Sequence, residues 1–267
     1  MKIIVLIKQV LDPAGILIRR DKEKMFINRE EYILGRDSKA ALEAALRLKD
    51  ADNAAPQEAG GTGVVAVSMG KPRAEDALRE ALAMGCDAAY LLSDEAFDAA
   101  DIPVTANVLA AAVQKLGGAD LIVAGRESGD TSAGQIGSRL AEALNYAQVT
   151  DVHVLSGEPG SIQATRRWAS GYATVQVQLP AVVTVAPEAF PARYAHGARI
   201  MNAYREWQVT TWNAADIGLD EAALKPLLTL RGESFPPPLP VSEQIKGAPA
   251  SAAHELITAL KLQKAIG

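Results

Sequence analysis

The sequence predicts an α/β fold: a parallel sheet layered between helices in three layers, with added antiparallel strands and an extended C-terminal arm. Three observations carry that prediction. Short continuous apolar runs alternate with helical patterns up to about residue 145, β-branched alternation without helices takes over near residue 149, and regularity fades past residue 186. Strands buried on both faces read as continuous apolar runs, whereas half-buried strands alternate.

The first strand is the apolar run at residues 3–7. Behind it, Arg19, Arg20, Lys22 and Lys24 are interrupted by acidic residues and read as a solvated hairpin. Ala40, Leu42, Ala44, Ala45 and Leu48 then mark a first helix, and residues 64–69 a second strand. Ala74, Ala77, Leu78, Ala81 and Leu82 mark the next helix, and residues 88–92 the next strand. Val104, Val108, Leu109, Ala112 and Leu116 give the third helix, and residues 121–123 the fourth strand. Ile136, Leu140 and Leu144 recur at fourfold spacing and share one face of a fourth helix. Such an order implies right-handed crossovers and a ligand crevice beyond the carboxyl ends of the strands.

"VTDVHVL", "SIQATRRW", "YATVQVQL" and "AVVTV" follow with no helix between them, and "ASG" at residues 169–171 is placed as a hairpin turn. These read as antiparallel strands extending the sheet. In "GESFPPPLP" the prolines exclude helix and favour an extended backbone. "SAAHELITALKLQKAI" returns as a helix with Ser251 as its expected cap. An arm of roughly sixty residues is too long for an ordinary loop and needs a surface to pack on. The expected organisation is an α/β domain over residues 1–190 and a docking segment, proline-rich arm and terminal helix over 191–267.

Composition narrows the function classes. The 267 residues are 49% hydrophobic and 22% charged, with no apolar run near the roughly twenty residues a membrane helix needs, so membrane insertion is not expected. The apolar part of "MKIIVLIKQV" is too short for a signal peptide, so a cytoplasmic location is expected. A net charge of -5 without a basic cluster argues against nucleic acid. The single cysteine, Cys86, excludes an internal disulfide and reads as a small buried thiol, and His153, His196 and His254 lack metal-ligand spacing.

The stretch "AGRESGDTSAGQIGSRLAEAL", residues 124–144, joins the fourth strand to the fourth helix. Helix N-termini carry unpaired amides and partial positive charge, which makes this junction an anion site. Ser132 and Gln135 stand at capping-box spacing; Gly129, Gly134 and Gly137 allow close backbone approach; Asp130, Thr131 and Ser132 supply polar groups. Local pattern alone leaves two readings open, a nucleotide site and an ordinary capped junction. Neither the P-loop pattern nor the Gly-x-Gly-x-x-Gly fingerprint is present, and no nucleophile is paired with a base.

Taken together, "KIIVLIKQVLD", "ALEAALRLKD", "VVAVSMGKPRAEDALREALAMGCDAAYLLSD", "DLIVAGRESGDTSAGQIG", "LPAVVTV" and "RYAHGARIMNA" resemble, in order and spacing, the beta subunit of an electron transfer flavoprotein. The resemblance implies an adenine-nucleotide-binding fold in a heterodimer whose alpha subunit holds the redox-active FAD, together with a redox partner dehydrogenase. This chain would bind AMP or, in an electron-bifurcating branch, a second FAD that accepts hydride from NADH; it would be an electron carrier rather than a stand-alone enzyme. By position the nucleotide would contact Leu6, Ile7 and Lys8, the loop 35–38, Ser68, Met69 and Gly70, and then Arg126, Gly129, Asp130, Thr131, Ser132, Gly134, Gln135, Ile136 and Gly137. Partner docking would use Arg193, Tyr194, Gly197, Ala198, Ile200 and Met201. Gly197 and Ala198 replace an apolar Leu-Pro pair usual in the family, which implies a redox partner other than the usual acyl-CoA dehydrogenase. Two further classes suit the residues less well. A free-standing regulatory module of universal-stress type runs to about half this length with its own glycine-rich signature, and an ATP-dependent ligase or pyrophosphatase needs a Ser-Gly-Gly-x-Asp-Ser loop that "KQVLDPAG" does not supply.

Overall fold

A computed structural model describes the chain except for residues 20, 21, 23, 55–60, 159, 230, 233, 238–241 and 267. Two compact units emerge, Met1–Thr229 and Leu230–Gly267. The first begins with β1 (Lys2–Ile7), β2 (Gln9–Leu11), β3 (Ile16–Arg19), β4 (Lys24–Ile27) and β5 (Tyr32–Leu34). Then α1 (Arg36–Ala54), β6 (Gly63–Met69), α2 (Glu75–Met84), β7 (Ala88–Leu92), α3 (Ile102–Lys115), β8 (Leu121–Gly125) and α4 (Ile136–Leu144) alternate. Next come β9 (Ala147–Glu158), β10 (Ser161–Trp168), β11 (Gly171–Gln178), β12 (Ala181–Val185), α5 (Gly197–Arg205) and β13 (Val209–Trp212). The second unit holds α6 (Pro249–Leu262).

Among the described residues nine strands form one sheet in the order β11-β10-β9-β12-β8-β1-β6-β7-β13. β1 lies parallel to both β6 and β8. Its side chains alternate between two cores: Ile3, Val5 and Ile7 face α1 and α2, while Ile4 and Leu6 face α3 and α4. Helices therefore cover both faces, and the continuous apolar character of the strand follows from that. In α1, Leu42 and Leu46 are buried to within 1% of completely, each contributing roughly 1.5–3 kcal/mol of apolar transfer. Chain order runs from β1 through β6 to β7 on one side, then returns to β8 on the other side of β1. The sheet's switch point thus lies between β1 and β8, where open α/β sheets place ligands.

The hairpin turn before Gly171 is present, with Ala169 at φ 49°, and β10 and β11 pair antiparallel. "AVVTV" differs from its expected direction. It forms β12, buried throughout, parallel to β8 on one side and to β9 on the other. Its continuous apolar run, unlike the alternation of its neighbours, is the signature of a strand covered on both faces.

Two elements lie past residue 186, where the sequence shows little regularity. α5 packs on α2, and β13 adds to the sheet edge beside β7, where Tyr90 and Trp212 stack with ring centroids 4.5 Å apart. The basic hairpin is β3 paired with β4, exposed along most of its length; Arg20 lies outside the described residues. So does part of "GESFPPPLP". The C-terminal helix starts two residues before its expected cap: Ala248 occupies the cap position, and the Ser251 hydroxyl donates to the Ala248 carbonyl instead of accepting from the helix start. Cys86 is buried and burial pushes its thiol up to about 12, so it is inert at neutral pH. No described helix is long and apolar enough to cross a membrane.

Candidate functional site

At the switch point the chain leaves β1 at Lys8 and β8 at Arg126. Both backbone groups of Lys8 are taken by the start of α1: its amide donates to Ser38 Oγ at 2.9 Å and its carbonyl accepts from the Gly35 amide at 3.0 Å. What Lys8 offers a ligand is its ammonium. That group reaches across the crevice to both carboxylate oxygens of Asp130, at 2.9 and 2.8 Å, and to Ser128 Oγ at 3.4 Å. Burial disfavours the charged form of Asp130, but hydrogen bonds from Lys8 and Ser128 outweigh it and hold its carboxyl below the usual carboxylate range.

Between β8 and α4 the loop turns sharply. Ser132 has φ 47° and Gly134 φ 62°, and the Ser132 amide donates back to the Ser128 carbonyl at 2.8 Å. Thr131 and Ser128 share a hydroxyl hydrogen bond of 2.8 Å. A side chain at Gly129 would meet nothing within 4 Å, so this part of the loop is open to a ligand. The expected capping box does not form. Gln135 itself occupies the cap position without a side-chain cap bond, and its Oε1 accepts from Arg139 Nε at 3.1 Å. The left-handed turn at Ser132 puts that residue outside the cap position, which leaves the first-turn amides of α4 without a side-chain acceptor.

Two glycines seat the surrounding elements. A Cβ on Gly125 would lie 2.5 Å from Asp37 Cβ, so the first turn of α1 rests directly on the end of β8. A Cβ on Gly137 would lie 2.3 Å from Thr184 Cγ2, so the first turn of α4 rests on β12. Burial raises the Asp37 carboxyl, against the lowering effect of the Glu127 amide, and its buried Oδ1 has no partner among the described residues.

Of the other expected nucleotide contacts, Leu6 and Ile7 are buried in opposite cores, Ile136 packs against the core beneath α4, and Met69 is partly exposed. Ser68 is completely buried at the end of β6, and its Oγ has no partner among the described residues. The Gly70 amide donates to the Leu92 carbonyl at 3.0 Å. Arg126 turns its guanidinium toward β9, with NH1 3.4 Å from Asp151 Oδ1. Residues 6–8 and 126–137 therefore meet at the carboxyl ends of two adjacent central strands, with Ser68 at the end of the next strand.

The expected docking residues form a separate group. Arg193 is held by α1: its Nε lies 2.8 Å from Glu43 Oε2 and its NH2 2.8 Å from Asp50 Oδ2. Tyr194 is fully exposed; Gly197 and Ala198 open α5, where the Ala198 amide donates to His196 Nδ1, and Ile200 and Met201 are about half exposed. Arg199 fixes α5 to the carbonyls of Leu82 and Ala83, both at 2.9 Å.

From the sequence, Asp37 enters only as part of the loop 35–38 with no role of its own, and Asp151 and Thr184 are passed over. Asp151 carried a signal: aspartate is depleted in strands, and one inside "VTDVHV" marks an irregularity.

Comparison with known proteins matches residues 24–217 to the electron transfer flavoprotein domain. The chain is 39% identical over 265 residues to the caffeyl-CoA reductase-Etf complex subunit CarD of Acetobacterium woodii, covering 98% of each chain. It is 38% identical over 224 residues to the electron transfer flavoprotein subunit beta of Clostridium acetobutylicum, covering 84% of this chain and 83% of that one. It is 32% identical over 272 residues to the acryloyl-CoA reductase electron transfer subunit gamma of Anaerotignum propionicum, covering 97% of this chain and 98% of that one.

Proposed function

The chain belongs to the electron transfer flavoprotein family, as a beta-type chain involved in electron transfer, and from that premise we propose that its switch-point loop holds the phosphate of an adenine nucleotide, AMP or FAD. One observation carries the reading: the Lys8 ammonium from β1 and the loop from β8 meet in front of the uncapped start of α4. The residues fit such a group. Lys8 balances phosphate charge, the first-turn amides of α4 donate to its oxygens, and Gly129 lets the backbone approach closely. Asp130 holds the ammonium in place and accepts from a ribose hydroxyl. The unpartnered Ser68 Oγ is a buried hydrogen-bonding group near the same strand ends, of the kind that calls for a partner. When FAD occupies the site its flavin supplies the redox chemistry; the chain supplies position, charge balance and exclusion of water.

In this proposal the partner is an alpha-type subunit carrying the redox-active FAD, and the heterodimer works in the cytoplasm. Electrons pass between a dehydrogenase or NADH and downstream acceptors, and the exposed face of α5, with Tyr194, Ile200 and Met201, meets the redox partner. Two relatives named as subunits of CoA-ester reductase assemblies support a redox partner of that chemical class. The test is titration of AMP and of FAD into the nucleotide-stripped complex. Wild type binds one of them, and Lys8→Ala weakens that binding about tenfold, the effect of one charge-assisted contact. Unchanged binding in Lys8→Ala would remove the site from this crevice.

A further inference from the structure

Asp151 stands out in β9. It has φ 56°, in the left-handed region that non-glycine residues seldom occupy and almost never inside a strand. It also sits in a slip of the ladder: the register with β12 shifts between Val183 and Val185, opposite Thr150 and Asp151, and the register with β10 shifts one step on, at His153. A bulge of this kind re-aims a side chain and recurs beside functional sites.

Its contacts lead to the two ends of one loop. Through its carboxylate, Asp151 accepts from Arg126 NH1 at 3.4 Å, and Arg126 is the first residue after β8. Through its backbone amide, Asp151 donates to Thr184 Oγ1 at 3.1 Å. Thr184 in turn presents Cγ2 to Gly137, in the first turn of α4, so closely that no Cβ fits between them. Arg126 lies farther from its other acidic neighbours, 3.9 Å from Glu127 and 4.0 Å from Glu188. Asp151 is therefore the acidic group nearest the guanidinium. Arg167 and His153 complete the surroundings of the carboxylate, with Arg167 Nε at 3.9 Å and His153 Nε2 at 3.8 Å. A side chain serving only the sheet would have no need of the slip, since a β-branched residue in regular register packs better there.

We propose that Asp151 is a positioning residue for the nucleotide loop, clamping residues 126–137 at both ends by holding Arg126 with its carboxylate and the Thr184–Gly137 contact with its amide. The proposal rests on the nucleotide reading of that loop. Asp151 touches no ligand itself; it fixes the spacing between Arg126 and the α4 amides.

The experiment is titration of AMP and FAD into the nucleotide-stripped complex carrying Asp151→Asn, Arg126→Gln, the double variant, or Lys8→Ala. Asparagine tolerates the left-handed conformation, so Asp151→Asn removes the charge and keeps the bulge; Asp151→Gly keeps the backbone and removes the whole side chain. Each Asp151 variant is expected to bind about fivefold more weakly or worse, and Asp151→Asn is expected to add nothing in the Arg126→Gln background, because the two act through one contact. A purely structural role would add in both backgrounds. Affinity unchanged or tighter in Asp151→Asn, or losses that simply add, overturns the clamp while a loss in Lys8→Ala leaves the nucleotide site standing. No effect in Lys8→Ala overturns both.

Discussion

Gly137 and Thr184 show what the site demands of single residues. The missing Cβ at Gly137 lets α4 begin within van der Waals contact of Thr184 Cγ2, which would otherwise lie 2.3 Å from it. Gly137→Ala therefore forces the helix start away from β12, at a cost of about 2 kcal/mol, and shifts the amides proposed to hold the phosphate. Thr184→Ser removes the obstructing methyl and keeps the hydroxyl that Asp151 uses, so it restores much of that loss; thermal unfolding of the single and double variants measures both. The sequence marks Gly137 for close backbone approach, but toward a phosphate; the close neighbour in the structure is Thr184, on a strand distant in the chain. Ser132 was misread for a physical reason: its spacing to Gln135 suits a capping box, but a left-handed turn at Ser132 starts the helix three residues later.

Within the central sheet the strands were legible because they are buried on both faces, while α6 was legible from its helical pattern although none of its residues is buried. β1, β6, β7 and β8 read as strands because both of their faces meet helices, and the apolar stripe of α4 survives intact. β13 is four residues long, with two of them exposed, and α5 is nine residues long and buries only Ala203, so both are too short and too solvated to stand out as core elements. What holds α5's approach segment is an ion pair: Arg193 joins Glu43, which is 5% exposed, and Asp50 at the solvent edge. Burial of Glu43 raises its carboxyl, yet hydrogen bonds from Arg193 and Arg47 outweigh this and hold it below the usual range. A carboxyl depressed in the folded state stabilises fully above its ordinary value of about 4 and loses that stabilisation as pH falls through the lower folded value. Glu43→Gln is expected to cost about 2 kcal/mol at pH 7, less than a fully buried pair because Arg193 is partly solvated, and to flatten the fall in stability below pH 4. Urea midpoints across that range measure it.

At the scale of the whole molecule, the sheet and its crevice belong to the unit Met1–Thr229, while the unit Leu230–Gly267 carries α6, none of whose residues is buried. A helix with Leu256, Ile257 and Leu262 all exposed has no core of its own, which fits an arm that embraces another subunit. Truncation after Thr229 is expected to leave the unfolding temperature of the chain within about 2 °C of the full length, since no core residue among the described ones is removed, and to weaken heterodimer formation at least tenfold by sedimentation. A large fall in unfolding temperature would place α6 in the chain's own stability instead. The central claim, a beta-type flavoprotein chain with an adenine nucleotide at its switch point, is tested most directly by purifying this chain with an alpha-type subunit and counting nucleotides per heterodimer. Two adenine nucleotides are predicted, either two FAD or one FAD and one AMP, with the second bound about tenfold more weakly in Lys8→Ala. A heterodimer holding a single FAD and nothing else would contradict it.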